Sequence, residues 1–148
     1  METKAKLEQA LKTAMKAGDD VARRTIRMAL AAIRQVEIDK RIELDESAVL
    51  AIIQKEIKTR RESVEEARKA ERADIVAATE AEIKILETFL PPAMSADELK
   101  ALVMAAIAEA GAVSPADMGK VMKILIPRLA GRASGDQVSA AVRLALQK

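Results

Sequence analysis

The sequence predicts an all-α protein: an N-terminal four-helix domain with long helices over residues 1–92, then a small three-helix C-terminal domain over 93–148. Three observations lead there. Apolar residues recur three and four positions apart in seven successive segments, as one buried helix face requires, and no strand is expected. Half of the residues are hydrophobic, yet Phe89 is the sole aromatic, so the core must be aliphatic, with Ala allowing close helix contact. Finally, Pro91-Pro92 removes two backbone donors and pushes the residues before each ring out of helical geometry, which marks the boundary.

Helix one is read over Glu2–Ala17, with Leu7, Leu11 and Ala14 or Met15 facing inward and Gly18 ending it. Asp19 or Asp20 caps helix two, about Val21–Lys40, whose stripe is Ile26, Leu30, Ile33 and Val36 or Glu37. Asp45 caps helix three, about Glu46–Lys69, with Val49, Ile53, Ile57, Val64 and Ala67 inward. The polar run Lys58-Thr59-Arg60-Arg61-Glu62-Ser63 thins this stripe, as a face leaving the core would. Helix four spans about Ala73–Phe89, with Ile75, Val76, Ile83 and Leu86 inward.

Beyond the prolines, Ser95 and Glu98 form a capping box for helix five, which carries Leu99, Val103 and Ala106 and ends at Gly111. Ser114-Pro115 opens helix six, which runs to about Leu125 before Pro127 breaks it. A basic Gly131-Arg132 turn follows. Ser134 and Gln137 form a second capping box, for helix seven, with Val138, Val142 and Ala145 inward.

The chain has neither cysteine nor histidine, which excludes thiol nucleophiles, disulfides, histidine bases and every His/Cys zinc site. No cofactor is expected. Met1–Lys6 holds no apolar run of the secretory kind and no stretch approaches a membrane span, so the default expectation is a soluble cytoplasmic protein without membrane attachment. Residues 1–94 carry 18 basic and 18 acidic side chains and residues 95–148 seven and five. Any basic patch must therefore come from clustering.

Most carboxylates sit three or four residues from Lys or Arg on polar helix faces, where they read as solvated pairs rather than acid–base catalysts. Glu80, Glu82 and Glu87 lack the histidine or acidic loop that a metal site would want. Ser63 and Lys58 are five apart, a poor offset for a nucleophile pair on one helix. Gly119-Lys120 lacks the preceding strand, first glycine and hydroxyl of a phosphate loop, and Gly119 reads instead as a close-packing position. What remains is a basic set, Lys120, Lys123, Arg128 and Arg132, with Arg143 near it. Lys120 and Lys123 share a helix face and the two arginines bracket the turn, an arrangement able to neutralise phosphates. No aromatic lies nearby to stack a base.

The chain resembles the YqeY-like family through Ile26-Arg27-Met28, Glu56-Ile57-Lys58-Thr59-Arg60-Arg61-Glu62-Ser63, Glu82-Ile83-x-Ile85-Leu86-Glu87-x-Phe89-Leu90-Pro91, Met118-Gly119-Lys120-Val121-Met122 and Gly131-Arg132-Ala133. Their order along nearly the whole chain makes the resemblance specific. It implies four helices followed by three. The C-terminal part is similar to the tail domain of the B subunit of glutamine-dependent aspartyl/glutamyl-tRNA amidotransferase, a tail that meets tRNA while chemistry resides in other domains. Where the family commonly has Asp, this chain has Ser134, which caps equally well.

The resemblance implies a tRNA-binding or tRNA-enzyme-associated accessory protein. Lys120, Lys123, Arg128 and Arg132 would contact phosphates, and Gly119 and Gly131 would admit close backbone approach. A family label of carbon–nitrogen ligase activity with glutamine as donor would be inherited from the tail, since neither an amide-donor site nor an ATP site is visible. Expected partners are tRNA and a tRNA-modifying or tRNA-charging enzyme. The alternative is a helical protein–protein interaction module without nucleic-acid binding.

Overall fold

The structure is a computed structural model that describes residues 2–147. Met1, where the leader reading begins, and Lys148, the last C-terminal cation, lie outside the described residues. Among those described there are seven α-helices and no strand: α1 Thr3–Ala17, α2 Asp20–Lys40, α3 Glu46–Lys69, α4 Ala73–Glu87, α5 Ala96–Ala110, α6 Met118–Leu129 and α7 Gly135–Leu146. The fold is all-α. Contacts divide the chain into two compact units, one ending at Leu90 and one starting at Pro91. Among the described residues no single helix is long and apolar enough to cross a membrane.

In the first unit, α1 to α4 enclose an aliphatic core. Leu7, Ile33, Ile53, Ile57 and Leu86 are fully buried, each burial stabilising by about 1.5–3 kcal/mol. Local signals set the ends. Gly18 adopts φ 69°, the left-handed conformation that closes α1, and the Asp19 and Asp45 carboxylates accept the Ala22 and Ala48 N–H groups at 3.0 and 2.8 Å. Glu2 gives α1 no side-chain cap. That task falls to Glu46, whose carboxylate accepts the Thr3 N–H at 2.9 Å and the Thr3 hydroxyl. Glu37 is a second tie: it accepts from Lys4 Nζ at 2.9 Å and from the Leu44 N–H at 3.0 Å. Together they fasten the start of α1 to the end of α2 and the start of α3.

Three expectations fail here for identifiable reasons. Ile75, expected inward, is 39% exposed: it stands four residues before Thr79 on the line that continues through Ile83 and Leu86, but in the first turn of α4, and the buried part of that line begins only at Thr79. Phe89 falls outside α4: Thr88, Phe89 and Leu90 donate to carbonyls three residues back, a tightening that precedes the prolines. Most consequential, Arg60 does not leave the core. It is 7% exposed and sits three residues after Ile57 and four before Val64, on the buried stripe itself. Its Nη1 donates to the Glu56 carbonyl at 3.1 Å and lies 3.6 Å from the Glu56 carboxylate. Its Nε reaches Glu82 of α4 at 3.6 Å without a hydrogen bond, and its Nη2 contacts Met28 Sδ of α2 at 3.6 Å. The other Glu82 oxygen is 3.6 Å from Arg24.

In the second unit, Val103, Ala106, Val121, Leu125, Val138 and Val142 form the centre of a smaller core. Ser134 and Gln137 make the expected reciprocal box, at 3.2 and 3.1 Å. Ser95 accepts the Glu98 N–H at 3.1 Å, but the return bond of a box is not made: the Glu98 carboxylate goes to Arg132 instead, at 2.8 Å. Nor does Pro127 break α6, which continues to Leu129. Val121, Leu125 and Leu129 are buried four apart. Pro127 is exposed, so the Lys123 carbonyl it leaves without a donor can be hydrated, and the burial of Leu129 carries the helix past it.

Arg60→Ala should therefore destabilise the full chain by about 3 kcal/mol, since it leaves the largely buried Glu56 unpaired and Glu82 with Arg24 alone; urea denaturation checks this, and a change within about 0.5 kcal/mol would contradict the role given to Arg60. The Glu37 tie has a pH signature. Its hydrogen bond to Lys4, then that from Leu44, holds the Glu37 carboxyl below its ordinary value, and Glu37 in turn raises Lys4. The Glu37 contribution is thus present above about pH 4.3 and lost as pH falls through its depressed folded value; the Lys4 contribution is present below about pH 10.4 and lost as pH rises through its raised one. Thermal melts of Glu37→Gln across pH should show both limbs flattened relative to wild type.

Candidate functional site

The structure divides the four expected phosphate-contacting cations into two pairs. Asp117 prepares α6 by accepting the Val113 and Ser114 N–H groups at 3.0 and 3.4 Å. These bonds, the Val113 one foremost, hold its carboxyl below the ordinary range. A single 3₁₀ turn, Pro115–Asp117, leads into the helix. With Val121 and Leu125 turned inward, the ~100° advance per residue puts Lys120 and Lys123 on the outward face. Lys120 is 72% exposed and only 3.9 Å from the Asp117 carboxylate, the limit of an ion pair. Lys123 is exposed and has no ion-pair partner among the described residues.

Arg128 projects from another side of α6 and is committed to α5. Its guanidinium grips Glu109 through two atoms, at 2.7 and 2.8 Å. This hydrogen-bonded pair lowers the Glu109 carboxyl and raises Arg128. Arg132 is committed too. Its Nη2 pairs with Glu98 at 2.8 Å and its Nε donates to the Pro92 carbonyl at 3.1 Å, while its own carbonyl accepts the Met94 N–H at 2.8 Å. It fastens the segment entering α5 onto the turn after α6. Arg143 is exposed on α7.

The two glycines also differ. Gly131 follows Ala130 in a left-handed pair, φ 50° and 74°, so the turn itself calls for it. Gly119 is helical, and a Cβ built there would meet nothing within 4 Å. The close-packing role expected for it is therefore corrected: it leaves an open patch of backbone beside Lys120 and Lys123.

The other candidate groups are absorbed by ordinary bonding. Glu80 pairs with Arg68 at 2.8 Å, Glu87 with Arg61 at 3.2 Å, and Glu82 with the two arginines already described. The Ser63 hydroxyl donates to the Thr59 carbonyl at 3.2 Å. Among the described residues no group of three acidic, His or Cys side chains is placed to hold a metal ion.

A family model described as Yqey-like protein matches residues 4–146. The chain belongs to the YqeY-like family. Curated relatives include proteins named altered inheritance of mitochondria protein 41, mitochondrial. That of Lachancea thermotolerans is 39% identical over 106 residues, 70% of this chain and 57% of its own length. That of Eremothecium gossypii is 40% identical over 100 residues, 66% and 55%, and that of Pyrenophora tritici-repentis 31% over 130 residues, 86% and 71%. The chain thus spans little more than half the length of the first two.

These names overturn the cytoplasmic expectation, because the relatives are called mitochondrial. The expectation rested on the lack of an apolar run, but mitochondrial transit segments are amphipathic and Arg-rich, so that lack says nothing about them. In this YqeY-like chain, three of the segments that carried the resemblance converge physically: Met28, Glu56 and Glu82 gather around the buried Arg60 side chain.

Because space is open at Gly119, Gly119→Ala should raise stability by about 0.5–1 kcal/mol through helix propensity; a fall in melting temperature would show that the position is sterically constrained after all.

Proposed function

We propose that this YqeY-like protein is a tRNA-binding or tRNA-enzyme-associated accessory protein, and that the outward face of α6 is its phosphate-contacting surface. The observation that carries the reading is the contrast within the basic set. Lys120 and Lys123 stand out from one helix face with no firm partner, beside the open backbone of Gly119. Arg128 and Arg132 spend their hydrogen bonds inside the unit. Two lysines one turn apart suit adjacent phosphates of a nucleic-acid backbone. They offer point charges rather than planar recognition, and with no stacking aromatic beside them they would read shape and charge, not base identity.

On this reading the arginines are the frame and the lysines the contact. The resemblance to the amidotransferase tail supports tRNA as the ligand, and the mitochondrial naming of the relatives directs attention to an organellar tRNA pool. No amide-transfer chemistry is assigned to the chain. Its contribution would be to hold tRNA near an enzyme that has its own active site.

Fluorescence anisotropy with tRNA over a salt series tests this. Lys120→Ala/Lys123→Ala should weaken binding and lower the log–log salt slope by about two, one for each phosphate no longer neutralised, with melting temperature unchanged. Arg132→Ala should do the reverse, lowering stability by about 1 kcal/mol while a folded population keeps the wild-type salt slope. Absence of tRNA binding at low salt, or equal weakening in both variants, refutes the assignment.

A further inference from the structure

The first unit carries a different cationic feature. Along α1 and α2 a groove of about 270 Å³ is lined by Leu11, Met15 and Leu30 and rimmed by Lys12 and Arg34. Arg27 stands beside the groove, its Nη2 resting 3.8 Å from the Sδ of the lining residue Met15. Met15 is 52% exposed, so the apolar floor of the groove is open to solvent. Lys12, Arg27 and Arg34 are all exposed, and none has an ion-pair partner among the described residues. Glu37, three residues on along α2 and within electrostatic reach of Arg34, is already taken by Lys4 and the Leu44 N–H. Glu8, the one acid among the lining residues, makes no ion pair with Lys12.

Spacing says what fits. Arg27 and Arg34 are seven residues apart on α2, about 10.5 Å along the axis, with Leu30 between them on the same face. A single phosphate or carboxylate cannot span that distance. A nucleic-acid strand would leave the apolar floor unused, and Phe89, the protein's only aromatic, lines a different groove, so nothing here stacks a base. A second helix matches both features, because its own side chains repeat at the same interval: an acid, an apolar residue three or four positions on, and a second acid at seven.

We infer that the α1–α2 groove docks an acidic amphipathic helix of a partner protein, with two carboxylates two turns apart meeting Arg27 and Arg34 and an apolar side chain between them seated on Leu11, Met15 and Leu30. The site lies outside α6 and does not depend on the tRNA reading.

The probe is a fluorescein-labelled peptide with Glu at positions i and i+7 and Leu at i+4 on an Ala/Gln background, titrated by anisotropy with the full chain at about 50 mM salt. Wild type should bind it. Arg27→Glu/Arg34→Glu should weaken binding by about tenfold or more, and a peptide with Lys in place of both Glu residues should recover binding to that variant. If the double reversal does not fold by circular dichroism, Lys12→Glu/Met15→Gln, at two exposed positions, takes its place and should weaken binding similarly. The inference is overturned if the acidic peptide fails to bind wild type, if the basic peptide binds wild type as well, or if the folded variant binds like wild type. Loss of tRNA binding in the reversal variant with the peptide inert would reassign the groove to nucleic acid and overturn it too.

Discussion

A guanidinium in an aliphatic core is tolerable only when carboxylates and a polarisable neighbour surround it, and this requirement organises the first ninety residues. Arg60 leaves α3 toward Glu82 on α4 and Met28 on α2, with Glu56 one turn back on its own helix. Hydrophobic burial alone would allow α4 to slide along α3, since Ile and Val side chains interchange at little cost. An ion pair at a defined level does not, because displacing the carboxylate by one turn would strand a buried charge. The distances of 3.6 Å and the unbonded Nε indicate that the cluster is held by charge more than by ideal hydrogen bonds. Its worth lies in register rather than in raw stability.

The second unit solves the same problem with less material. Its buried centre is purely aliphatic, and its cations work at the edges. Arg128 ties α6 to α5 through a forked pair with Glu109. Arg132 ties the turn after α6 to the chain entering α5. A core this small depends on such edge ties, because it removes little apolar surface from water. That is also why Glu98 forsakes the capping box that its spacing from Ser95 invites. Arg132 offers the Glu98 carboxylate a full opposite charge as well as a donor, where the backbone N–H would offer a donor alone.

Helix positions were legible because their signals are local. Asp45, Ser134 with Gln137, Gly18 and Gly111 each act within one turn of their own position, the first two beginning helices and the glycines ending them as read. Pro127 misleads because a single-residue rule meets a position where burial of Leu129 one half-turn later outweighs it. Arg60 is hidden for a related reason: its polarity masks a position that the spacing Ile57, Arg60, Val64 already places on the buried stripe. What reveals it is that interval, read without regard to residue type. Its partners are not legible in sequence, since Met28 and Glu82 are far away along the chain and the pairing exists only after α2, α3 and α4 pack. The compartment is illegible for another reason, as nothing in an apolar-run test bears on it.

The candidate surfaces illustrate a limit on reading function from charge. The four cations between Lys120 and Arg132 look equivalent in sequence, and a count of basic residues would weight them equally. Folding separates them by what lies opposite. Glu109 and Glu98 neutralise two, whereas Asp117, kept busy by backbone N–H groups, leaves Lys120 nearly free. The same logic operates on α2, where Lys4 and Leu44 occupy Glu37 and so leave Arg34 without that acid as a partner. In both units an acid engaged in holding a turn or a helix end leaves a neighbouring cation available at the surface. The charge open to a partner is therefore what the structural bonding leaves over, and it can be assigned only after each carboxylate has been accounted for.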